Sequence, residues 1–595
     1  MSLRRYSMMT IKFGIGLIPK SVRELAKRSP ALTSFYSHSL QKSGLFYGFP
    51  NKKKLQELYS QTLSYQAARI NEIVSNRAPI YRHYHLVVRA HKRSNLDATL
   101  DSLLIHCRHI SGVTIISNVN SDIVIKDDYC AAFEINVFNA FKDWDVDIDL
   151  DQVVFVNSGD TLHPHFFDVC CREINDGLLY VDSDFLNDNR VREDARLFPD
   201  WNPALQLSSH YISTGVVLNV KACHNELKLA INRVSTIASL VNVLVNEATA
   251  LAVKHIPLSL IHYTNSKTRI ADELKETSGY LNEKFGAVCK INKETQILKI
   301  QWPIKKQPLV SLIIPTKNGK ELVKACIESI LEKTTYKNFE IILVDNNSDE
   351  PESLAYFSEL GQHPKITLLK YPHPFNYSAI NNFAVSHCNG EVVGLVNNDI
   401  EVISPTWLDY MVGHVMRDDI GCVGAKLLYS DGRVQHAGVV MGYGGGAGHA
   451  HKYFPRYHPG YLNRLIASNN FSAVTAACLL VKRTHYEAVK GLNEKDLTVA
   501  FNDVDFCLKV LELGVRNLYC AEAELYHHES VSRGLDVSKE KMARFNSELA
   551  YLKAHWGHVI AHDPAYNPNL TLRHENFAIK DEKERLKEAN SKTKI

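Results

Sequence analysis

In the second half of the chain, short apolar segments alternate with stretches that repeat apolar residues at helical spacing. Residues 309–315 are predicted to form a buried strand, residues 320–333 a helix, and residues 339–344 the next strand. This alternation is typical of an open sheet of mainly parallel strands with helices on its faces. It predicts an α/β, Rossmann-like fold for this part of the chain.

An earlier part of the chain shows the same alternation, with predicted strands at residues 85–90, 113–117, 153–157 and 178–181. At 595 residues the chain is too long for one ordinary core, so we expect two successive α/β units. The predicted organisation is a basic N-terminal extension with a helix over 55–78 (1–82), a first unit (83–281), a polar linker (282–307), a second unit (308–535) and a helical C-terminal extension with a charged tail (536–595).

Composition restricts the classes of function. A hydrophobic content of 45%, a charged content of 22% and a net charge of +3 describe an ordinary globular protein, and they give no reason to expect nucleic-acid binding. The 12 cysteines are scattered without a CxxC pair, so their spacing predicts neither a disulfide framework nor a zinc site. This usage favours a reducing cytoplasm.

The N-terminal segment raises the question of membrane contact. No stretch approaches the roughly 18 to 20 apolar residues needed to span a bilayer, and the short run 11–18 lacks the features of an export signal. The first 54 residues contain eleven Lys or Arg and one acid, Glu24. Such an excess could hold the chain on anionic lipid at about 1 kcal/mol per basic residue. The alternative is a solvated basic leader.

Three polar residues follow predicted strands of the second unit. Thr316, Asp345 and Asp399 each stand where an apolar run ends. In open α/β sheets, ligands bind at the carboxyl ends of the strands. A single strand-end Asp is more often a turn former or a helix cap, but three such positions in one unit indicate a binding site.

Residues 308–535 resemble family 2 glycosyltransferases with the GT-A fold. The segments that carry this resemblance are 314–316 (IPT), 344–348 (VDNNS), 376–382 (NYSAINN), 397–399 (NND), 502–508 (NDVDFCL) and 527–534 (HHESVSRG). Residues 435–438, 473–478 and 563–569 are similar to stretches of large bacterial O-antigen and polysaccharide transferases, many of them described as rhamnosyltransferases.

The resemblance assigns roles to the residues of these segments. Asp399 and His527 would hold Mg²⁺ or Mn²⁺, with the adjacent His528 as the rival ligand, and Asp503 would be the catalytic base. The residues expected to contact substrate, with Asp505 supporting a loop or the cation, are Pro315, Thr316, Asp345, Asn382, Asn397, Asn398, Asp505, His436 and His449. The glycine-rich run 442–451 lacks the context of a phosphate-binding loop and is predicted to be a mobile loop over the acceptor.

The reaction implied is sugar transfer from a nucleotide-sugar donor to a lipid-linked or oligosaccharide acceptor, at the inner face of the cytoplasmic membrane. A single base implies inversion at the anomeric carbon, since double displacement needs a nucleophile on the opposite face. The alternative is a non-catalytic glycan-binding or scaffold protein of a polysaccharide assembly complex. A nucleotidyltransferase is disfavoured because residues 315–319 lack a loop rich in Gly and Arg.

The first unit is predicted to be a non-catalytic copy of the second. Aligning the two units places Asn118 at the position of Asp345 and Gly159 at the position of Asp399. Residues 231–246 contain no acid that could act as a base, although a late histidine, His262, is present. Asp182 and Asp184 leave open a residual metal site.

The C-terminal extension is predicted to begin with an amphipathic helix over residues 539–556. Its expected apolar face consists of Met542, Phe545, Leu549, Leu552 and Trp556. Residues 580–595 are charged and lack apolar residues at core spacing, so we expect a frayed helix or disorder there.

Overall fold

A computed structural model describes residues 52–75, 82–90, 93–117, 124–147, 149–173, 176–187, 189–248, 251–263, 270–528 and 538–592. The basic segment 1–51, the predicted counterpart of Asp345 at Asn118, and residues 529–537 of the last family-like segment lie outside the described residues. The predicted N-terminal helix is confirmed as α1 (Lys52–Ser75). Among the helices of these described ranges, none is long and apolar enough to cross a membrane.

The first unit is built on a nine-stranded sheet with helices around it. Its strands are β1 (Tyr84–Ala90), β2 (Ile110–Ser117), β3 (Ile135–Phe138), β4 (Gln152–Asn157), β5 (Thr161–Leu162), β6 (Leu178–Leu186), β7 (Arg192–Arg196), β8 (Val216–Asn219) and β9 (Val253–Tyr263). Its helices are α2 (Arg93–Leu104), α3 (Asp127–Ala132), α4 (Phe166–Cys170), α5 (Pro203–Ser209), α6 (Val220–Ile231), α7 (Ile237–Glu247) and α8 (Ile270–Phe285).

The predicted polar linker is not a free connector. It forms an antiparallel hairpin of β10 (Val288–Asn292) and β11 (Ile297–Gln301). Ile297, Leu298 and Trp302 are buried and belong to the hydrophobic core of the first unit. Burial of this short apolar run explains why the segment folds although its flanks are polar.

The second unit contains a ten-stranded sheet and a separate two-stranded one. Its strands are β12 (Val310–Thr316), β13 (Phe339–Asp345), β14 (Ile366–Lys370), β15 (Val392–Val396), β16 (Ile400–Val402), β17 (Ile420–Leu428), β18 (Val434–His436), β19 (Val439–Met441), β20 (Ala447–His449), β21 (Asn469–Asn470), β22 (Cys478–Lys482) and β23 (Arg516–His527). Its helices are α9 (Lys320–Lys333), α10 (Pro351–Leu360), α11 (Tyr377–Val385), α12 (Trp407–Val415), α13 (Arg483–Ala488) and α14 (Asn502–Leu511).

The two large sheets share one strand order. The first runs β3-β2-β1-β4-β8-β6-β9-β5 and the second runs β14-β13-β12-β15-β22-β17-β23-β16. In each sheet the strand after the fourth, β8 or β22, is antiparallel to both of its neighbours. The predicted fold class, two α/β units of one topology with helical extensions, is confirmed. The exact unit boundaries stay a prediction.

Side chains of both units meet in a buried polar contact. Asn202 Nδ2 donates to the carbonyl of Asn470 (2.9 Å), and the Asn470 amide donates back to Asn202 Oδ1 (3.0 Å). The Ala204 amide donates to Asn470 Oδ1 (3.1 Å), and the Ser208 hydroxyl donates to the carbonyl of Ser468 (3.1 Å). These bonds satisfy polar groups that would otherwise be buried without partners.

The C-terminal extension contains α15 (Lys539–Ala561), which packs on the second unit, and α16 (Glu582–Lys592), which contacts α1. Leu552 and Trp556 are buried as predicted, whereas Met542 and Phe545 are exposed. Of the two alternatives predicted for residues 580–595, a frayed helix or disorder, the described part forms a helix. Glu584 accepts hydrogen bonds from the Thr571 hydroxyl and the Leu572 amide, and Arg585 Nη2 donates to Thr62 Oγ1 of α1 (2.9 Å).

Replacing Asn470 with Ala should lower the free energy of unfolding by about 1–3 kcal/mol, because Ala204 and Asn517 then lose buried partners of their main chain. Urea denaturation compares this variant with Asn232→Ala, which removes an exposed Asn on the first unit. Equal stability of the two variants would contradict a stabilising role of the contact.

Candidate active site

Parallel pairing brings two of the predicted strand-end residues together. Thr316 of β12 lies opposite Asp345 of β13, and Pro315 lies opposite Val344. Asn398 Nδ2 donates to Thr316 Oγ1 (3.0 Å), so the turn after β15 joins the same group. Asp345 Oδ1 accepts a hydrogen bond from the Ser348 amide (3.0 Å), which shows that this carboxylate also shapes its own turn.

A short strand pairing brings Asp399 and His527 together. Ile400 of β16 lies opposite His527 of β23, and His527 Nε2 is 3.2 Å from Asp399 Oδ1. Both side chains are buried, and Asn397 Nδ2 is 3.2 Å from the same ring nitrogen. Neighbouring ligands of an octahedral ion such as Mg²⁺ stand about 3 Å apart, so the carboxylate and the imidazole fit two positions around one cation.

The adjacent histidine faces elsewhere. His528 Nδ1 is 2.7 Å from the Ser430 hydroxyl, and its Nε2 is 3.1 Å from Glu401 Oε2. Successive side chains of an extended segment point in opposite directions, which explains the divergence. Of the two histidines, His527 is the one beside Asp399.

The main chain of residues 475–477 connects Asp503 to this centre. The Ala476 amide donates to Asp503 Oδ2 (3.1 Å), and the Ala477 carbonyl accepts from the Asn397 amide (3.0 Å). Burial raises the pKa of Asp503, although the Ala476 and Val504 amides and the Thr475 hydroxyl oppose the shift. The carboxylate therefore binds a proton more readily than an exposed Asp, as a general base requires.

His436, which is buried, and His449, which is half-buried, contact each other. Their Nδ1 atoms are 2.8 Å apart, and His436 Nε2 accepts a hydrogen bond from the Gly438 amide (3.2 Å). Burial lowers the pKa of both rings, and for His449 the value falls to about 3. The predicted role of His436 in acceptor binding is thus not supported by its contacts, since both of its ring nitrogens face protein groups.

The predicted mobile loop at residues 442–451 is wrong as a description of this segment. Strands β19 and β20 pair as an antiparallel hairpin around it, with Val439 opposite His449. Tyr443 at its turn is buried, and Tyr443 Oη lies 3.3 Å from Tyr566 Oη. Packing against the C-terminal extension, which the local glycine content does not reveal, fixes this hairpin.

Asn382 and Asp505, also predicted as site residues, form hydrogen bonds with other parts of the protein. Asn382 Nδ2 donates to the Leu492 carbonyl (2.9 Å) and to Glu494 Oε1 (2.7 Å), while its Oδ1 accepts from the Leu492 amide (3.0 Å) and the Tyr486 hydroxyl. Asp505 Oδ1 accepts from Trp556 Nε1 (2.9 Å). Positions i and i+2 of a helix do not share a face, which explains why Asp505 points away from Asp503.

Residues 311–488 match the model of glycosyl transferase family 2. This part of the second unit is a glycosyl transferase family 2 domain. O-antigen biosynthesis protein RfbC of Myxococcus xanthus is 32% identical over 442 residues, covering 71% of this chain and 34% of that protein. The uncharacterized protein y4gI of Sinorhizobium fredii is 52% identical over 279 residues, covering 47% of this chain and 31% of that protein. The chain thus spans about a third of the length of these relatives.

A solved structure of the mannosyltransferase PcManGT from Pyrobaculum calidifontis, in complex with GDP-Man and Mn²⁺, aligns with a TM-score of 0.33 at 16% identity. The alignment covers 44% of this chain and 72% of that chain. At this TM-score it adds nothing to the fold assignment, which stands on the strand order.

The first unit lacks both metal-ligand candidates of the family 2 domain. The Asn157 carbonyl accepts from the Asp160 amide (3.1 Å) as the Asn397 carbonyl accepts from the Ile400 amide (3.3 Å), so Gly159 takes the place of Asp399. Thr161 pairs with His262 as Glu401 pairs with Tyr526. Tyr263 therefore takes the place of His527, and the late histidine His262 stands one residue too early.

The acids of β6 are occupied by protein groups, which removes the reason for a residual metal site. Asp184 accepts from Arg192 Nε (2.6 Å) and from the Tyr59 hydroxyl of α1, and it pairs with His262. Asp182 accepts from the Phe198 amide (2.7 Å) and pairs with His255. Asn567 Nδ2 of the C-terminal extension donates to both Asp182 oxygens (3.1 and 2.9 Å).

Sequence reasoning missed Glu548 and Trp556 as supports of the candidate base. Glu548 is buried and accepts from the Thr498 hydroxyl (3.1 Å), the Val499 amide (2.9 Å) and the Ala500 amide (3.2 Å). Trp556 holds Asp505 in the first turn of α14, the helix that carries Asp503. The signal that could have revealed this supporting role is the acidic residue Glu548 within the apolar face of α15.

Replacing Glu548 with Gln should loosen residues 498–500, because the charged acceptor of two main-chain amides is lost. Hydrogen bonds to charged groups contribute about 1.5–3 kcal/mol, so we expect roughly 10- to 100-fold faster amide exchange at Val499 and Ala500. Hydrogen exchange read by mass spectrometry tests this, with the exposed Glu540→Gln of the same helix as control. Unchanged protection of these two amides in Glu548→Gln would contradict the supporting role of Glu548.

The ion pairs that His255 of β9 forms with Asp182 and Asp200 should depend on pH. Burial lowers the pKa of His255, but the carboxylates of Asp182 and Asp200 outweigh it and raise the pKa to about 9. A folded-state pKa above the unfolded value of 6.5 means that this stabilisation is complete below pH 6.5 and is lost as pH rises through about 9.

The stability difference between the wild type and His255→Gln should therefore shrink across this interval. Urea denaturation at several pH values measures it, with His574→Gln, at an exposed position, as the matched control. A difference that is constant with pH would show that His255 is not charged in the folded protein.

Proposed function

We propose that this protein is an inverting, metal-dependent glycosyltransferase that moves a sugar from a nucleotide-sugar donor to a growing surface polysaccharide. The proposal rests on the buried Asp399–His527 pair and its link to Asp503. The main chain of residues 476–477 forms hydrogen bonds both with the turn that carries Asp399 and with the Asp503 carboxylate. A cation-binding pair can stabilise the nucleoside diphosphate as it leaves, and a carboxylate of raised pKa can act as the base for the attacking hydroxyl.

The donor would lie along the strand ends. Thr316, Asn398 and the Asp345 turn offer hydrogen-bonding groups to a nucleotide, and Asn397 borders the same turn. Asp399 and His527 would hold Mg²⁺ or Mn²⁺, which supplies positive charge to the diphosphate leaving group. Asn382 and Asp505 are assigned supporting roles, because their contacts hold the 486–494 segment and α14 in place.

Asp503 would remove the proton from the acceptor hydroxyl as that oxygen attacks the anomeric carbon. The bond from this carbon to the phosphate oxygen breaks, the electron pair leaves with the nucleoside diphosphate, and the proton remains on Asp503. One displacement inverts the anomeric centre. Holding Asp503 by the Ala476 and Val504 amides fixes the carboxylate in one orientation before the acceptor arrives.

The acceptor class follows from the relative named for O-antigen biosynthesis and is part of the proposal. We infer a lipid-linked or oligosaccharide acceptor at the cytoplasmic face of the membrane, with the basic segment 1–54 as a contact for anionic lipid. The first unit, with Gly159 and Tyr263 at the ligand positions, is inferred to be non-catalytic and to bind glycan, set spacing or mediate assembly.

The direct test uses purified protein, Mn²⁺ or Mg²⁺ and a panel of sugar nucleotides, with release of nucleoside diphosphate as the readout. Asp503→Asn and Asp399→Asn should each lower kcat by about 10²–10⁴-fold. Asp496→Asn, an exposed acid near Asp503 in sequence, should leave it unchanged.

Several outcomes would contradict the assignment. Full turnover in Asp503→Asn would show that Asp503 is not the base. Full turnover in Asp399→Asn would show that Asp399 does not hold an essential cation. Sugar binding without turnover in the wild type, over the whole donor panel and with added acceptors, would favour the glycan-binding or scaffold alternative.

A further inference from the structure

A second group of metal-ligating side chains lies away from the candidate active site. His414 of α12 meets Cys520 and Glu522 of β23, and one ligand atom from each lies within 4.8 Å of the other two. All three residues are buried. Among the described residues, this is the one cluster of three or more His, Cys, Asp or Glu side chains that meets this distance condition.

The irregular pairing of β23 creates the cluster. Cys520 lies opposite Ala425 of β17, but the next pair joins Lys426 to Glu524, so residues 521–523 leave the ladder. Such a bulge re-aims side chains at the site where it occurs. Cys520 and Glu522, two positions apart, both reach the layer occupied by α12, and Cys520 Sγ lies 3.8 Å from Glu522 Oε2.

His414 provides an independent observation that points to a ligand. The residue is 3% exposed, and neither ring nitrogen has a hydrogen-bond partner among the described residues. A buried imidazole without partners is costly, and native proteins rarely leave such groups unsatisfied. A neutral imidazole at this position has a lone pair available for a metal ion.

We propose that His414, Cys520 and Glu522 bind a Zn²⁺ ion. An imidazole nitrogen, a thiolate and a carboxylate oxygen are the donor set that zinc accepts, whereas Mg²⁺ and Mn²⁺ prefer oxygen ligands. Ligands of a tetrahedral zinc stand about 3.3–3.8 Å apart, which the Cys520–Glu522 distance of 3.8 Å already meets. Water would take the fourth position, and binding would release the Cys520 thiol proton, and that of Glu522 where it is protonated, to solvent.

The position of this site suggests a structural role at the contact between the units. The Ser468 hydroxyl donates to Glu522 and accepts from the Ala521 amide (3.0 Å). The Ser468 carbonyl accepts from Ser208 of the first unit. A zinc ion on Glu522 would therefore link α12 and β23 to the segment that meets the first unit, at a place separate from the Asp399–His527 pair.

Metal analysis of the full-length protein tests the proposal. Protein expressed with zinc and purified under reducing conditions should contain about one zinc per chain by mass spectrometry of the elements. Cys520→Ala should lose this zinc, and Cys478→Ala, which removes another buried thiol from the same sheet, should retain it. Chelation should lower the thermal midpoint of the wild type and of Cys478→Ala but not that of Cys520→Ala.

A spectroscopic measurement on the wild type decides the matter if Cys520→Ala fails to fold. Reconstitution of the chelated protein with Co²⁺ should give the thiolate-to-cobalt charge-transfer absorption of a Cys-ligated site, and added Zn²⁺ should abolish it. Absence of both zinc and this absorption would overturn the proposal, as would full zinc content in folded Cys520→Ala. Neither result bears on the glycosyltransferase proposal, which is tested at Asp399 and Asp503.

Discussion

The antiparallel pairing of β16 with β23 is the constraint on which the candidate active site depends. It sets Ile400 opposite His527 and so brings together Asn397 and His527, which are 130 positions apart in the chain. Residues 475–477 extend this arrangement, because their amides and carbonyls bind both the turn after β15 and the Asp503 carboxylate. Without these main-chain contacts, the spacing within each motif would not bring Asp399 and Asp503 close together.

The helical C-terminal extension completes this arrangement from outside the sheet. Glu548 and Trp556 of α15 fix the segment and the helix that carry Asp503, while Asp563 accepts from the Met441 amide (2.7 Å) at the hairpin of β19 and β20. Buried Arg464 donates to the Ala565 carbonyl (2.7 Å) and ties the extension to the contact between the units. The extension is therefore part of the folded core, and removing it would leave several buried polar groups without partners.

The sequence predicted the repeated α/β topology because alternating strands and helices leave a strong local signal. Motifs whose order is specific singled out Asp503 and also Asp399 and His527, whose side chains lie 3.2 Å apart; their catalytic and metal-binding roles stay predictions. The sequence did not reveal the protein partners of Asn382, Asp505 and His436, because a motif position does not show which way a side chain faces or which distant loop satisfies it. Their contact with substrate stays a prediction. The docking of residues 582–592 was missed for a related reason: Glu584 and Arg585 hold that helix by hydrogen bonds, which leave no apolar periodicity.

The two units differ in what satisfies their buried acids. In the first, Asp182 and Asp184 are held by His255, His262, Arg192 and the Tyr59 hydroxyl, and Gly159 and Tyr263 stand at the positions of the ligand pair. In the second, the buried Asp399 and His527 lie together, with the imidazole beside the carboxylate. A shared scaffold can thus serve either packing or binding. Under the proposed function, the difference is whether a buried carboxylate is neutralised by the protein's own cations or binds a cation from solution.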